Sequence, residues 1–366
     1  MSLLLAIFIA FLVSLAVTLA IVRSSTTHAH LSNDHDLSGP QKFHARPVPR
    51  IGGMGILCGL AATMALIAWR TPAVGHVGLM LVLCAMPAFL SGLAEDVTKS
   101  VSPRRRLFFT ALSSLLGVFL LGAVLDRTGV WVLEWLVAWP ALAIASTVFL
   151  ISGVTNAVNI IDGFNGLASM CVSLMLLATA YVAFQVGDMF VLTTALVLAG
   201  AIAGFFVWNF PAGMIFLGDG GAYLLGFLVA ELSILLLHRN PSVSPMFPLL
   251  VCIYPIFETL FSIYRKKFIR KMSPGVPDGV HLHMLVYKRL MRWAVGREDA
   301  KALTLRNSMT SPYLWTLTVA SVVPATLFWN DTRLLLACIF LFAFSYVGVY
   351  WRIVRFRTPK WLIRRS

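Results

Sequence analysis

Asn156, Asn159 and Asp162 recur at intervals of three in the stretch Asn156-Ala157-Val158-Asn159-Ile160-Ile161-Asp162-Gly163-Phe164-Asn165-Gly166. On a helix that spacing puts the three side chains on one face. Their oxygens suit a hard cation, and the amides can hydrogen-bond a sugar or a pyrimidine base. Asn165 adds another amide, while Gly163 and Gly166 permit a turn or the close approach of a ligand. Asp219 stands among glycines in Phe216-Leu217-Gly218-Asp219-Gly220-Gly221. Backbone N–H groups there could face a phosphate while the carboxylate holds Mg²⁺. The string has no P-loop lysine and no strand before it, so it does not describe a nucleotide fold.

Two adjacent acids, Glu95 and Asp96, close an apolar run. Carboxylates in that position are costly unless solvated, paired or bound to a cation, and their mutual repulsion can leave one as a base. His281 and His283, two apart, make a zinc pair only if a third ligand is near; a phosphate clamp fits equally well. Arginines that match phosphate geometry flank these groups: Arg46 and Arg50 in His44-Ala45-Arg46-Pro47-Val48-Pro49-Arg50, and Arg104 in Pro103-Arg104-Arg105-Arg106. Glu231 and Glu258 lie within or near apolar runs, and Glu258, seven residues before Arg265, reads as an interfacial acid paired with a base. The five cysteines all sit in apolar stretches without metal-like spacing. The set lacks a thiolate, a haem ligand and a serine–histidine pair. Carboxylates, glycines, histidines and arginines together describe Mg²⁺-assisted phosphoryl or diphosphate chemistry.

The elements that must position these residues are membrane helices. Of 366 residues 59% are apolar and 12% charged, about half the charged share of a soluble domain. Apolar runs occur at about 2–22, 51–69, 77–93, 107–125, 135–151, 169–186, 189–208, 221–238, 244–264, 312–329 and 334–351. Most approach the length that crosses about 30 Å of hydrocarbon. The expected fold is therefore all-α: a polytopic integral membrane protein with about 11 transmembrane helices. The first is expected to be an uncleaved span, because no positive region precedes it. A soluble enzyme, a disordered tail and a disulfide-stapled module are excluded. With the N-terminus outside and the C-terminus cytoplasmic, 25 of the 29 lysines and arginines fall on the inner side, as the positive-inside rule requires. That clustering between apolar runs also argues against nucleic acid as the partner of the +14 charge and for membrane lipids. A single transmembrane catalytic domain, 1–366, is expected. Its cytoplasmic loops are 23–50, 94–106, 152–168, 209–220 and 265–311, and its basic tail is 353–366. Every constellation above lies on the inner loops, so the work is expected at the cytoplasmic face.

Taken in chain order, the motifs resemble those of the bacterial polyprenyl-phosphate N-acetylhexosamine-1-phosphate transferases, over about residues 44–290. The resemblance implies eleven spans and an inner-membrane site on the cytoplasmic face. It implies Mg²⁺, with Mn²⁺ as a substitute, and undecaprenyl phosphate and a UDP-N-acetylhexosamine as partners. Asp219 would be a metal ligand and Asp162 an essential acid near the metal. Asp96 with Glu95 would lie near the lipid phosphate, to deprotonate or orient it. His281 and His283 would contact the donor diphosphate, Asn156, Asn159 and Asn165 would shape the pocket, and Arg46, Arg50 and Arg104 would bind substrate. The implied reaction moves N-acetylhexosamine-1-phosphate, GlcNAc-1-phosphate first, from the UDP-sugar to the lipid and releases UMP. A UDP-N-acetyl-6-deoxyhexosamine is the second donor. The pattern resembles the O-antigen or capsule-initiating branch more than the peptidoglycan translocase. Three positions depart from the family pattern: Glu95 for aspartate, Asn165 for an aspartate of some branches, and Met284 for a histidine of many members. A homodimer is one candidate assembly. Two other function classes compete, a secondary transporter and a non-catalytic scaffold for polysaccharide assembly. A transporter would spread its acids toward the midplane, and a scaffold would tolerate loss of Asp162 or Asp219.

Overall fold

The computed structural model describes residues 1–25, 48–271, 279–291 and 299–355. Arg46, most of the 23–50 loop and the tail from 356 lie outside the described residues. The fold is all-α. Its helices are α1 (Leu3–Arg23), α2 (Gly53–Arg70), α3 (Pro72–Thr98), α4 (Pro103–Leu121), α5 (Trp131–Val137), α6 (Pro140–Ile161), α7 (Leu167–Val186) and α8 (Met189–Asn209). There follow α9 (Gly218–Arg239), α10 (Met246–Val251), α11 (Ile253–Tyr264), α12 (Leu282–Leu285), α13 (Ala300–Leu327) and α14 (Thr332–Val354). Among the described residues eight of these are long and apolar enough to cross a membrane: α1, α2, α3, α6, α7, α8, α9 and α14.

The eleven expected spans thus reduce to eight that meet both conditions, and each of the other three falls short for a local reason. The helix α4 opens on Arg104, Arg105 and Arg106. The 244–264 run is broken at Cys252 into α10 and α11. The last, α13, is 28 residues long but diluted by hydroxyls, Pro312 and Pro324. Helix limits also move. The run expected to end at 151 continues as helix to Ile161, so Asn156 and Asn159 ride the last turns of α6 and the 152–168 loop shrinks to a short turn. Between α7 and α8 the chain reverses on two residues. Gly187 adopts φ +76° at the C-cap, and the Asp188 carboxylate accepts the Val191 N–H at 3.2 Å. That pairing of a left-handed glycine with an N-capping acid is what divides 40 apolar residues into two helices.

The helix α9 is the axis of the bundle. Every residue of its apolar stretch is buried, and it packs on α2, α3, α4, α6, α7, α8 and α10. A helix that is hydrophobic all round belongs in such a place. Its one mid-helix acid, Glu231, lies against Gly117 of α4. Elsewhere α1 packs on α2 and α8, and α13 on α7.

Candidate active site

The N-terminus of α9 carries Asp219 in its first turn. The segment ahead of it pairs with the chain entering α2: the Phe216 N–H donates to the Pro49 carbonyl at 2.8 Å, and the Gly52 and Gly53 N–H groups donate to Phe216 and Leu217 at 3.0 and 3.1 Å. Gly218 turns at φ +77°, and a Cβ there would land on the Arg50 carbonyl oxygen. Only glycine lets the α2 approach and the α9 start lie this close.

Asp96, in the last turn of α3, is 2% exposed. Its two oxygens accept the backbone N–H groups of Asp219 at 3.0 Å and Gly220 at 2.9 Å. The helix-terminal donors that the sequence offered to a phosphate are thus taken by a carboxylate of the chain itself. Orphan N–H groups and the positive end of a buried helix both favour a negative group there. Asp96 does not line the cavity beyond it, whereas Glu95 does and accepts the Val101 N–H at 2.8 Å.

The Asp219 carboxylate faces two arginines and an amide. Arg106, one turn into α4, donates to Oδ2, Arg50 lies 3.6 Å from Oδ1, and Asn159 Nδ2 donates to Oδ1 at 3.2 Å. Arg50 also lies 3.7 Å from Asp96. These groups border a cavity of about 410 Å³ whose wall includes Asp162, Asn165, His281, His283 and Asn307. Asp162 caps the C-terminus of α6. Its carboxyl is pushed up to about 8, by burial first and by the Asp219 and Asp96 charges, with Arg50 opposing.

Two expected substrate residues stand elsewhere. Asn156 does not line the cavity but turns to α4 and its own helix, donating to Thr110 Oγ1 at 3.5 Å and the Ser152 carbonyl at 2.8 Å. Arg104 is exposed outside the cavity wall; two positions later on the same helix, Arg106 occupies the place beside Asp219. Asn165 is 4% exposed and clamped by α13. Its N–H donates to Asn307 Oδ1 at 2.9 Å, its amide to Ser308 at 3.0 Å, and its carbonyl accepts the Ser311 hydroxyl at 2.6 Å. Asn209 Oδ1 takes the next N–H, of Gly166, at 2.7 Å. The rings of His281 and His283 stack 5.2 Å apart, and His281 Nδ1 lies 2.9 Å from the Glu258 carboxylate.

A family model described as glycosyl transferase family 4 matches residues 78–237. Over 282 residues the chain is 29% identical to a probable undecaprenyl-phosphate N-acetylglucosaminyl 1-phosphate transferase of Bacillus subtilis, covering 76% of each protein. It is 27% identical over 260 residues to an undecaprenyl-phosphate alpha-N-acetylglucosaminyl 1-phosphate transferase of Thermotoga maritima, covering 70% of this chain and 74% of that protein. A phospho-N-acetylmuramoyl-pentapeptide-transferase of Streptococcus pneumoniae is 29% identical over 252 residues, 64% of this chain and 73% of that one. The chain is thus similar to bacterial undecaprenyl-phosphate sugar-1-phosphate transferases, with the family model matching less than half of its length. The names of these relatives give different sugar groups, N-acetylglucosaminyl and N-acetylmuramoyl-pentapeptide.

The donor set is of a kind that fits Mg²⁺. Among the described residues no three acids, histidines or cysteines gather as a ready-made cage. Mg²⁺ is ordinarily held by one or two carboxylates, with water and substrate phosphates completing the shell; Asp219 and Asp162 supply two carboxylates on one cavity. Sequence reasoning assigned no role to three residues around this site, Arg106, Asn209 and Asn307, while Glu258, expected to pair with a basic group, has His281 as its partner. Arg106 was one of three neighbouring arginines, and the helical register that singles it out starts from Ser102-Pro103, an N-cap followed by proline. No local signal marks the other two, because their partners lie 43 and 142 residues away.

Proposed function

We propose that the chain transfers N-acetylhexosamine-1-phosphate, with GlcNAc-1-phosphate the first candidate, from a UDP-sugar to undecaprenyl phosphate. UMP leaves, and the step initiates a cell-surface polysaccharide of the O-antigen or capsule type. A UDP-N-acetyl-6-deoxyhexosamine is the second donor. The observation that carries this reading is the convergence of Asp219, Asp162, Asn159, Arg50, Arg106 and the two histidines on one cavity. Acids from helix ends face cations from three other segments, an arrangement that suits a diphosphate and a phosphate monoester together.

In this mechanism a phosphate oxygen of the lipid attacks the β-phosphorus of the donor. The bond from that phosphorus to the bridging oxygen breaks, UMP takes the electron pair, and the sugar C1–O bond stays intact. Bound at Asp219 and Asp162, Mg²⁺ would offset the charge of the diphosphate and the departing UMP. Arg50, Arg106 and the histidines bind phosphate oxygens, and Asn159 fixes the Asp219 carboxylate. The acceptor, a phosphate monoester, is already largely ionised near neutrality (second pKa about 6), so no base is needed to create the nucleophile. Asp96 acts by holding the start of α9 in place, and so sets Asp219. Glu95, on the cavity wall, is the acid of the pair that can reach a substrate. The active site faces the cytoplasm of a bacterial inner membrane, the N-terminus lies outside and the C-terminus inside, as the arginine and lysine distribution supports.

The test is UMP formation by purified protein with undecaprenyl phosphate, Mg²⁺ and a panel of UDP-sugars. Lipid-dependent UMP from one donor, lost with EDTA and in Asp219→Asn, is expected. Release of UDP in place of UMP would overturn phosphosugar transfer.

A further inference from the structure

The last helix, α14, faces mostly outward, and its buried residues form one stripe that includes Phe342, Tyr346, Tyr350 and Ile353. Steps of four, four and three put these side chains on one face of a helix. The end of the stripe meets the segment 280–291, which carries the two histidines, and three contacts join them. The Tyr346 hydroxyl donates to Glu258 Oε2 at 2.6 Å; Oε1 of that carboxylate accepts the Leu282 N–H at 3.1 Å and lies 2.9 Å from His281 Nδ1. The Tyr350 hydroxyl donates to the Val280 carbonyl at 3.3 Å and accepts from Arg265 at 2.8 Å. At the far end of the segment Arg289 donates to the carbonyls of Ile353, at 2.8 Å, and Val354.

In the sequence Arg289 belongs to a basic run of the kind that meets phosphate or lipid. In the fold it is not on the cavity wall but on the last turn of α14. Carbonyls there have no partner in their own helix, and the negative end of the helix favours a cation. The other side of the segment meets the turn that follows Asp162. The Tyr287 ring stacks on Phe164 at 5.3 Å, the His283 ring meets Phe164 edge-on at 5.7 Å, and Arg306 of α13 donates to the Tyr287 hydroxyl at 3.2 Å. The segment is thus held between α13 and α14, and its polar bonds to α14 fall at its two ends.

We propose that Arg289 is a positioning residue: by capping α14 it clamps the segment 280–291 to that helix and so holds His281 and His283 where the donor diphosphate binds. This rests on the function proposed above and adds to it a residue outside the cavity on which donor affinity depends. Arg289 touches no reacting atom. Its loss therefore acts on donor binding and spares the transfer step and the lipid acceptor.

The test uses the full chain in lipid nanodiscs and reads both UMP release and amide exchange by mass spectrometry. Arg289→Met keeps an apolar stem and removes the donors. It is expected to raise KM for the UDP-sugar about tenfold, the scale of one charge-assisted hydrogen bond. Both kcat and KM for undecaprenyl phosphate should stay within about twofold. Arg289→Lys keeps a cation at the helix end and should recover part of the affinity. Tyr350→Phe removes one hydroxyl from a retained ring and should move donor KM the same way by a smaller factor. In a His281→Asn, His283→Asn background Arg289→Met should add little, because the residues act as one unit. Amides of 280–285 should exchange faster in Arg289→Met while those of α9 keep their rates. If Arg289→Met does not fold, Arg289→Lys and Tyr350→Phe carry the same comparison. Equal rises in the two KM values, or a loss fully additive with that of the histidine variants, overturn the assignment. Unchanged exchange at 280–285 overturns it whatever the activity. If the wild type releases UMP from no donor, the proposed function falls, while the exchange rates still decide whether Arg289 holds the segment.

Discussion

Asp96→Asn would leave one amide oxygen, plus an NH₂ that cannot accept, to face the two N–H groups that open α9. A buried donor left without an acceptor costs about 1–3 kcal/mol, so the expected outcome is a lower melting temperature that carries activity down with it. Asp219→Asn should leave the melting temperature close to wild type and cut UMP release by about 10²–10³-fold, the scale of one lost electrostatic contact at a reacting centre. The opposite pattern in the two melting curves would exchange the roles given to these acids. On α4, Arg106→Ala should lose most transfer activity and Arg104→Ala almost none, in side-by-side rate measurements, because only Arg106 reaches Asp219. Asp162 supplies a pH test. Its carboxyl titrates at about 8 in the fold and at about 3.9 in an unfolded chain. The folded protein therefore holds the extra proton between those values, and without divalent cation its stability falls as pH rises through that window. A cation needs the ionised carboxylate, so Mg²⁺ should stabilise more at pH 8 than at pH 6. Melting curves in EDTA and in Mg²⁺ across pH check both slopes, and Asp162→Asn should flatten them.

The turn 162–166 is held from outside by α13, an element of no evident chemical interest in the sequence. Asn307→Ala would strip the Asn165 N–H of its acceptor. Amide exchange at Asn165 and Gly166 should speed up relative to α9, and transfer should slow, because the turn follows directly on Asp162. Exchange that stays at wild-type rates would show that Ser308 and Ser311 suffice. Legibility at this scale follows the range of the interactions. The interval of three in Asn156, Asn159 and Asp162 does signal helix, and the helix does run to Ile161. The apolar pattern nevertheless stops at 151, because the last turns carry amides that neighbouring helices accept. The same interval predicts a shared face but not its direction. Asn159 meets Asp219, and Asn156 meets α4. Likewise the pair Glu95 and Asp96 was readable as unusual, while their division between a cavity wall and a helix cap depends on where α9 begins.

Composition made a multi-pass α-helical membrane protein plain, because so few of its residues are charged. The number of spans was less legible. Three of the eleven apolar runs fall short of the length or apolarity of the rest, one broken at Cys252, one opened by three arginines and one diluted by hydroxyls. Cysteine labelling from either side of sealed vesicles addresses this in a cysteine-free background. Probes at 187–188 and 239–243 should react from outside, and probes at 94–106 and 209–217 from inside. Inner labelling at 239–243 would reverse the assigned topology. The placement of Asp219 at the start of the axial helix α9 has a consequence for how this site can diversify. A helix packed on all sides resists change, since any shift there is felt throughout the protein, whereas the histidine segment at 281–285 is carried by a helix of only four residues that packs on α13 and α14. New donor preferences are therefore to be sought in that short segment, with the acid on the axial helix kept as common machinery. Exchanging 279–285 between relatives with different donors should move sugar preference more readily than any exchange within α9.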